Sequence, residues 1–419
     1  MRHLFYASAI AAALLGACST GKPADSADTT PAVAFVRVEG KDFVKPDGTK
    51  LLIRGTNLGN WLNPEGYMFG FSRASSPRLI NDAFCQLVGE EVTANFWQAF
   101  KDNYITRADI EFIAATGANT VRLPFHYKLF TDEPYMGSTN PDEGFARIDS
   151  TIAWCRDNGL YLILDMHDCP GGQTGDNIDD SYGYPWLFQS EGNQAKFCSI
   201  WKRIAERYAD EPVVLAYELM NEPIAHYFDD RDHLNRALAP LMKRAVDSVR
   251  TVDPNHIILI GAAQWNSNFN PLHGSDFGPA IAYTCHRYGG PATAEAIEHY
   301  ISFRDSADAP MYMGEIGHNT EAWQAAFVEV MESNNIGYTF WPYKKIEGSC
   351  MNAFARPEGW DSVVAFAESP RASYEEVRTG RPQQVAARAA LMALIEAVKA
   401  SNCTPQGAYI ESMKLTLPQ

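Results

Sequence analysis

Two glutamates are placed where chemistry is expected: Glu222 follows the apolar run Val214–Asn221, and Glu315 closes the run Met311–Glu315. A carboxylate at the end of a buried strand is costly unless it is paired, so one shared pocket would explain both. Two facing carboxylates suit hydrolysis of a glycosidic bond, in which one donates a proton to the leaving oxygen and the other attacks the anomeric carbon. The alternative for either residue is a structural ion pair with a buried arginine.

Other polar or aromatic side chains end the neighbouring apolar runs. They are Arg122, His167, Asn221, His286, Tyr288 and Trp341. Barrels of parallel strands carry their chemistry at the carboxyl ends of the strands, so these positions are candidates for a common site. A lone histidine at a strand end is as often a hydrogen-bonded core residue as a catalytic group, and both roles stay open for His167 and His286.

Eight short apolar or β-branched runs alternate with segments of helical periodicity. The runs are Leu51–Asn57, Asn119–Phe125, Tyr161–His167, Val214–Asn221, His256–Gly261, Ile281–His286, Met311–Glu315 and Gly337–Tyr343. Strands buried on both faces and separated by helices predict a parallel sheet, and eight such units close a (β/α)8 TIM barrel, an α/β fold. A doubly wound open sheet is less favoured, because Gly55–Trp61 lacks the GxGxxG spacing of a dinucleotide-binding loop.

A long insertion, Trp61–Thr106, separates the first two predicted strands, and a short helix is expected near Glu91–Phe100. Apolar ring faces bind sugars, so tryptophans in predicted loops are candidates for sugar subsites: Trp61, Trp186, Trp265 and Trp360. Tryptophans in helical segments are expected to pack in the core: Trp97, Trp154, Trp201 and Trp323.

The first residues have the pattern of an export signal. Arg2 and His3 precede a short apolar run from Leu4 to Leu15, and small residues then precede Cys18. We therefore expect a lipoprotein signal peptide over residues 1–17, a polar tether over residues 18–34 with lipid on Cys18, one catalytic domain over residues 35–404 and a tail over residues 405–419. The expected location is the cell envelope, at the outer membrane or facing the periplasm. An ordinary signal peptide with a chance cysteine is the alternative.

Charge and composition exclude several classes of partner. The 419 residues include 35 Lys and Arg against 51 Asp and Glu, a net charge of −16, which opposes nucleic-acid binding and suits a neutral polyhydroxylated ligand. The chain has no CxxC and no HExxH, so neither a metal nor another cofactor is expected. Seven cysteines follow Cys18, and their spacing does not determine a disulfide pairing. A monomer is expected, with the membrane contacted through the lipid alone.

Taken in order, these motifs resemble glycoside hydrolase family 5, the cellulase family, over about residues 43–400. The similar motifs are Asn221-Glu222-Pro223, Gly314-Glu315 and His286-Arg287-Tyr288, together with Arg122, His167 and Trp341. Within the family, Arg54–Trp61 and Phe84–Leu87 are similar to the exo-β-1,3-glucanase and β-glucosidase branch. Asn60 and the segment Tyr67–Phe71 depart from that branch.

The resemblance implies a retaining β-glycosidase that hydrolyses β-glucans or β-glucosides, with Glu222 as acid/base and Glu315 as nucleophile. Arg122 and Tyr288 would keep the nucleophile ionised by charge and hydrogen bonding. The remaining candidates would contact the sugar: Asn221 at the 2-hydroxyl, His167 and His286 at other hydroxyls or the acid/base, Trp341 as the floor and Trp61 as a pocket wall. The insertion at the rim favours a short pocket that releases glucose from non-reducing ends.

Other functions stay open. An endo-acting cellulase or β-mannanase of the same family would share both glutamates, and a transglycosidase would share the glycosyl-enzyme intermediate. A surface lipoprotein that binds a β-linked oligo- or polysaccharide without catalysis is a different class, as is a metal-dependent barrel hydrolase. The metal alternative would use Asp165, His167, Asp168 and His286.

Overall fold

The computed structural model describes residues 35–418. The predicted signal peptide, the tether and Cys18 lie outside these residues, and so does residue 419. Among the described residues no helix combines the length and the apolar character needed to cross a membrane.

A short antiparallel hairpin opens the described chain, formed by β1 (Arg37–Glu39) and β2 (Asp42–Val44). Phe43 belongs to the same buried cluster as Ile163, Leu215 and Leu259, which lie on three of the barrel strands. The hairpin therefore packs at the amino-terminal end of the barrel, and the opposite end is left for the loops that follow each strand.

Eight parallel strands close into a barrel, which confirms the predicted (β/α)8 fold. They are β3 (Arg54–Asn57), β4 (Thr120–His126), β5 (Tyr161–Asp168), β6 (Val214–Glu218), β7 (Ile257–Gly261), β8 (Ile281–His286), β9 (Met311–Gly317) and β10 (Gly337–Trp341). Neighbours in sequence are neighbours in space, and β10 closes the ring by pairing with β3. All eight strands fall inside or within a few residues of the predicted runs.

Helices surround the barrel and cover its outer face. They span Arg107–Ala115, Glu143–Asn158, Glu191–Tyr208, Arg231–Arg250, Glu298–Ala307, Glu321–Ser333 and Gln384–Ala397. Local sequence sets their ends: Thr320 accepts the Trp323 backbone N–H at the start of Glu321–Ser333, and Gly159, with φ of 68°, ends Glu143–Asn158.

The insertion is more helical than its sequence indicated. The expected short helix lies within Glu90–Tyr104, and a second helix, Pro77–Val88, precedes it. Phe84 and Trp97 pack with their ring centroids 5.5 Å apart, and both belong to an aromatic cluster with Phe69. The insertion therefore has its own apolar core.

Two helices that follow the last barrel strand, Trp360–Glu368 and Gln384–Ala397, pack on this insertion. The same part of the chain also forms the three-stranded sheet of β11 (Lys344–Ile346), β12 (Asn352–Phe354) and β13 (Thr404–Pro405), and the helix Tyr374–Gly380. Trp360 is fully buried, and its indole N–H donates to the Phe69 carbonyl oxygen at 2.7 Å.

The segment expected as a tail, residues 405–419, is ordered against the barrel as far as it is described. Its helix Gly407–Ser412 buries Tyr409 and Ile410. The Tyr409 hydroxyl donates to the Trp341 carbonyl oxygen at 3.2 Å, and the Ser412 hydroxyl donates to Gln324 at 2.8 Å. This helix therefore packs against the end of β10 and stabilises its position.

The seven cysteines within residues 35–418 are all free thiols. Five of them are buried: Cys155, Cys169, Cys198, Cys285 and Cys350. They act as small apolar side chains, and the described fold is held by packing rather than by disulfides.

Trp61 does not line a sugar pocket, and that prediction is wrong. Its side chain is 1% exposed in the main hydrophobic core, and its indole N–H donates to the Lys101 carbonyl oxygen at 2.8 Å. The chain turns inward after β3 and carries the indole beneath the insertion instead of into the barrel mouth. A loop position in sequence did not reveal this burial.

We therefore expect Trp61→Ala to lower stability rather than substrate affinity. Removing a buried indole leaves a cavity and should cost about 3–5 kcal/mol, seen as a large fall in Tm. Tyr374→Ala is the control, because Tyr374 is 87% exposed and its removal should change stability by less than about 0.5 kcal/mol. A Trp61→Ala protein with unchanged Tm and weakened substrate binding would contradict this assignment.

Candidate active site

The carboxyl ends of the barrel strands surround a cavity of about 430 Å³. Its lining includes Glu65, Tyr67, His167, Ile178, Glu222, Gln264, Trp265, His286, Arg287, Tyr288, Glu315, His318 and Trp341. The two glutamates singled out in the sequence thus face one space, Glu222 from the turn after β6 and Glu315 from β9.

Glu315, on β9, is held by donors on both carboxylate oxygens. Arg122 Nη1 lies 2.8 Å from Oε1, and the Tyr288 hydroxyl donates to Oε2 at 2.6 Å. Burial alone would raise its pKa, but the charges of His286, Arg122 and His167 and the Tyr288 hydrogen bond lower the pKa of Glu315 to about 2. The carboxylate is therefore ionised at neutral pH and available as a nucleophile.

Arg122, on β4, is fully buried and fully engaged. Its Nε and Nη2 atoms donate to the two carboxylate oxygens of Glu218 at 2.8 and 2.7 Å, and Nη2 lies 3.0 Å from Asp165 Oδ2. It also donates to the side-chain oxygens of Asn57 at 2.9 Å and Asn221 at 2.8 Å. The guanidinium thereby fixes side chains from four strands or strand ends in one plane of hydrogen bonds.

Glu222 occupies a strained position beyond β6. Its φ is 44°, a left-handed region that costs a non-glycine residue about 1–3 kcal/mol. The Thr174 hydroxyl donates to its carbonyl oxygen at 2.7 Å, and the Ile224 N–H donates to the Gln173 carbonyl oxygen at 2.9 Å. Contacts with the loop after β5 therefore hold the turn that aims the Glu222 carboxylate at the cavity.

His286 links the two glutamates. Its Nδ1 lies 2.8 Å from Glu222 Oε1 and 3.6 Å from Glu315 Oε2. Burial opposes protonation of the ring, but the charges of Glu315 and Glu222 and a hydrogen bond to Glu222 raise the pKa of His286. Asn266 lies behind the ring. Its amide nitrogen is 3.1 Å from Nε2, and its buried Oδ1 has no hydrogen-bond partner within the described residues 35–418. Turning this amide by 180° would let Oδ1 accept the Nε2–H of a protonated His286.

The two carboxylates are close together. One carboxylate oxygen of Glu222, one of Glu315 and a ring nitrogen of His286 all lie within 4.8 Å of one another. This spacing is shorter than the separation of about 6.5–9.5 Å at which a pair of carboxyl groups holds a catalytic water molecule between them.

Trp341 and His167 form one wall. Their rings are stacked with an interplanar angle of 3° and centroids 5.2 Å apart, and the indole N–H donates to the Tyr67 hydroxyl. His167 Nδ1 lies 2.7 Å from Asp165 Oδ2. Burial would lower the pKa of His167, but Asp165 and Glu65 outweigh it and raise the pKa to about 10.

Glu65 adds a third carboxylate to the cavity. It is almost completely buried, and its Oε1 has no hydrogen-bond partner within residues 35–418. His167 Nε2 lies 3.6 Å from this oxygen, and burial raises the pKa of Glu65. Its contact with His167 is longer than a hydrogen bond, so this oxygen can accept a hydroxyl hydrogen from a ligand in the cavity.

Comparisons with known proteins agree with this geometry. The Cellulase (glycosyl hydrolase family 5) profile matches residues 82–346. The chain belongs to glycosyl hydrolase family 5. It is 30% identical over 277 residues to a β-xylosidase from Phanerodontia chrysosporium, a match that covers 64% of this chain and 55% of the relative.

Other family 5 relatives carry different names. An endoglucanase C from Acetivibrio thermocellus is 26% identical over 327 residues, covering 64% of this chain and 92% of the relative. A glucan 1,3-β-glucosidase from Kluyveromyces lactis is 31% identical over 193 residues, covering 42% of this chain and 44% of the relative. The crystal structure of a β-glucanase from Saccharophagus degradans shares the fold, with a TM-score of 0.53 at 20% identity over 87% of this chain and 94% of that one.

The family 5 barrel brings most of the predicted site residues together. Lining the cavity are Glu222, Glu315, His167, His286, Tyr288 and Trp341. Arg122 and Asn221 lie directly behind them, bonded to each other at 2.8 Å. Trp265 also lines the cavity, whereas Trp61, Trp186 and Trp360 do not. The positions agree with the sequence analysis, and the individual catalytic roles stay predictions.

Several residues of the site were not anticipated. Glu65 and His318 come from loops and Tyr67 from the short 3-10 helix Gly66–Phe69, and in such segments sequence gives no indication of the direction the chain takes. Glu218 differs, because it is a charged residue inside the apolar run Val214–Asn221, and that placement already signals a buried partner.

The residues of the metal alternative do not form one ligand set within residues 35–418. Asp168 instead accompanies His126 and Asp180, with His126 Nε2 3.0 and 3.1 Å from their carboxylates. The Lys128 backbone N–H donates to His126 Nδ1 at 3.1 Å, so the ring proton lies on Nε2. A protonated Nε2 donates to the two aspartates and has no lone pair for a metal.

The pH dependence of the site should report the Tyr288 hydrogen bond. Tyr288→Phe removes a donor to the Glu315 carboxylate, so the pKa of Glu315 should rise and the acid limb of kcat/KM should move up by about one pH unit. In the parent protein Glu315 stays ionised until the pH falls towards about 2, so that limb lies well below neutrality. Tyr374→Phe, at an exposed site, is the control; equal acid limbs in the two variants would refute the role given to Tyr288.

Proposed function

We propose that this chain is a retaining β-glycosidase that hydrolyses β-glucans or β-glucosides by double displacement. The observation that carries the proposal is the approach of the Glu222 and Glu315 carboxylate oxygens to within 4.8 Å. Inverting enzymes hold their carboxyl groups about 6.5–9.5 Å apart to admit water, whereas retaining enzymes hold them about 5–5.5 Å apart.

In the first step a Glu315 oxygen bonds to the anomeric carbon as the glycosidic bond breaks, and Glu222 gives its proton to the departing oxygen. Arg122 and Tyr288 keep Glu315 ionised, while the Glu222 carboxylate contacts His286 and no arginine among residues 35–418 forms an ion pair with it. The two carboxylates thereby have the different environments that an attacking group and a proton donor require.

In the second step a water oxygen bonds to the anomeric carbon, Glu222 takes the water proton, and Glu315 leaves as a carboxylate. Asn221 is fixed through its oxygen by Arg122, and its amide nitrogen lies 3.3 Å from His167 Nε2, which places the amide donors beside the cavity wall that His167 lines. A donor there suits the sugar 2-hydroxyl oxygen, whose hydrogen bond strengthens in the oxocarbenium-like transition state.

We infer a short pocket that takes the non-reducing end of a glucan. Glu65 and Tyr67 lie across one side of the cavity against the stacked Trp341 and His167, where they would meet a terminal sugar. The similarity to a glucan 1,3-β-glucosidase supports this choice. The similarity to an endoglucanase supports an endo-acting enzyme as the second candidate, and the appearance of glucose in early digests of laminarin separates the two.

Each catalytic glutamate can be tested by substitution. Glu315→Gln and Glu222→Gln should each lower kcat at least about a thousandfold, because each removes a group that both steps need. Azide should rescue Glu315→Gly and give the inverted α-glycosyl azide, since azide attacks from the face left by the carboxylate. The measurement is product stereochemistry by NMR.

The control is Glu375→Gln, at an exposed helical position, which should retain normal turnover. Near-normal activity of Glu222→Gln or Glu315→Gln would refute the proposed mechanism. A β-glycosyl azide from Glu315→Gly would exchange the two roles.

We also propose that the protein is exported and held at the cell envelope by lipid on Cys18, on the strength of the small residues that precede this cysteine. Cys18→Ser should abolish membrane partitioning and leave kcat/KM unchanged, as measured by cell fractionation and an assay of the released protein. Cys85→Ser is the matched control and should remain with membranes. If Cys18→Ser still fractionates with membranes, the anchor is refuted.

A further inference from the structure

An aromatic surface leads away from the catalytic cavity. We call it the aromatic track and define it by Trp265, Tyr227, Phe228, Tyr184 and Trp186. Successive ring centroids along it lie 6.1, 5.1, 5.4 and 4.7 Å apart. It begins at Trp265 in the cavity wall and ends at Trp186, which lines a separate cavity of about 500 Å³.

Two of the five rings of the aromatic track are open to solvent and could contact a ligand. The side chains of Tyr227 and Trp186 are 51% and 45% exposed. Scattered exposed aromatic rings are ordinary on a soluble protein, but rings in mutual contact that continue from a cavity mark a binding surface. Flat apolar faces with polar edges suit the faces of pyranose rings.

A strained turn presents the first ring. Gln264, Trp265 and Asn266 have consecutive φ values of 51°, 56° and 59°. Each left-handed residue costs about 1–2 kcal/mol, so the surrounding structure must hold the turn. The Gln264 side chain donates to Asn235 at 2.9 Å, and the Ser267 hydroxyl donates to the Gln264 carbonyl oxygen at 2.6 Å. These hydrogen bonds hold the strained turn, which places Trp265 in the cavity wall and Asn266 behind His286.

The track starts on the side of the proton donor. Tyr227 lies five residues after Glu222 on the same segment. The backbone N–H of Trp265 donates to the carbonyl oxygen of Pro223 at 3.4 Å. Because Glu222 protonates the oxygen of the departing group, the part of the substrate that departs must lie on this side. Glu65, Tyr67 and Trp341 would then hold the sugar that is transferred.

Acidic residues beside the aromatic track indicate whether its ligand is charged or neutral. Asp229 and Asp230 flank the track, and the Tyr184 hydroxyl donates to Asp230 at 2.5 Å. Together with the net charge of −16, these carboxylates disfavour a polymer of acidic sugars and leave a neutral one.

We propose that the aromatic track binds the departing portion of a linear, neutral β-glucan, so that catalytic efficiency rises with chain length on the reducing side of the scissile bond. This inference rests on the proposed glycosidase function. Under this inference, Tyr227 and Trp186 make the enzyme prefer longer glucans. The two glutamates and the cavity alone would not give this preference.

The test compares a long leaving group with a minimal one. The substrates are β-glucosyl fluoride, whose leaving group cannot reach the track, and the better of laminaritetraose and cellotetraose. The measured quantity is the ratio of kcat/KM for the tetrasaccharide to kcat/KM for the fluoride. Tyr227→Ala should lower this ratio about tenfold, the effect of losing roughly 1.4 kcal/mol of contact with a bound sugar. Tyr374→Ala, a matched exposed tyrosine outside the track, should leave the ratio unchanged.

A second variant tests the length of the track. Trp186→Ala should reduce kcat/KM for the tetrasaccharide. For the disaccharide of the same linkage, laminaribiose or cellobiose, it should have less effect than Tyr227→Ala has. Equal ratios for Tyr227→Ala and Tyr374→Ala, or an efficiency in the parent protein that does not rise with chain length, would overturn the inference while the glycosidase function stands. If the parent turns over none of these substrates, the proposed function fails. In that case the affinity of the parent protein and of Tyr227→Ala for the tetrasaccharide, measured by calorimetry, tests whether the track binds glucan. Equal affinities would overturn the proposed role of the track.

Discussion

The guanidinium of Arg122 is shielded from solvent at the point where the barrel strands converge, and the site depends on how its charge is balanced. Burying such a charge is unfavourable unless carboxylates surround it, and Asp165, Glu218 and Glu315 do so from β5, β6 and β9. The planar fork of arginine fixes these groups in direction as well as distance. Removing the guanidinium would leave three buried carboxylates without their common partner. The same ion pairs therefore both keep Glu315 ionised and stabilise the barrel.

The same interaction explains why the two facing glutamates differ. Glu315 is bonded to Arg122 and Tyr288, whereas Glu222 contacts His286 and is displaced from the guanidinium by the turn that follows β6. The two facing glutamates therefore differ in their surroundings rather than in residue type, as the proposed pairing of an attacking carboxylate with a proton donor requires. The His286 ring lies close to both carboxylates. A change of charge on one carboxylate therefore alters the electrostatic environment of the other through this ring.

Sequence predicts the part of this site that the barrel itself determines. Arg122, His286 and Glu315 lie on strands, and once eight parallel strands were recognised their meeting at one end followed from geometry. Loop residues were not predictable in this way. Glu65 and Trp61 lie four residues apart in the same loop, yet one enters the cavity and the other is buried beneath the insertion. Periodicity does not encode the path of such a loop, because that path depends on packing between segments distant in sequence.

The sugar-facing wall shows what this distant packing does. A Cβ atom on Gly59 would lie 2.7 Å from the Trp341 ring, so glycine is what allows the indole its position. The Tyr67 hydroxyl accepts the indole N–H, and the Tyr409 hydroxyl donates to the Trp341 carbonyl oxygen. Trp341 is thus placed by the first loop, the insertion and the last helix together. Barrels that share the two glutamates can therefore differ in the sugar they accept, because the segments that shape the wall vary independently of the strands that carry the chemistry.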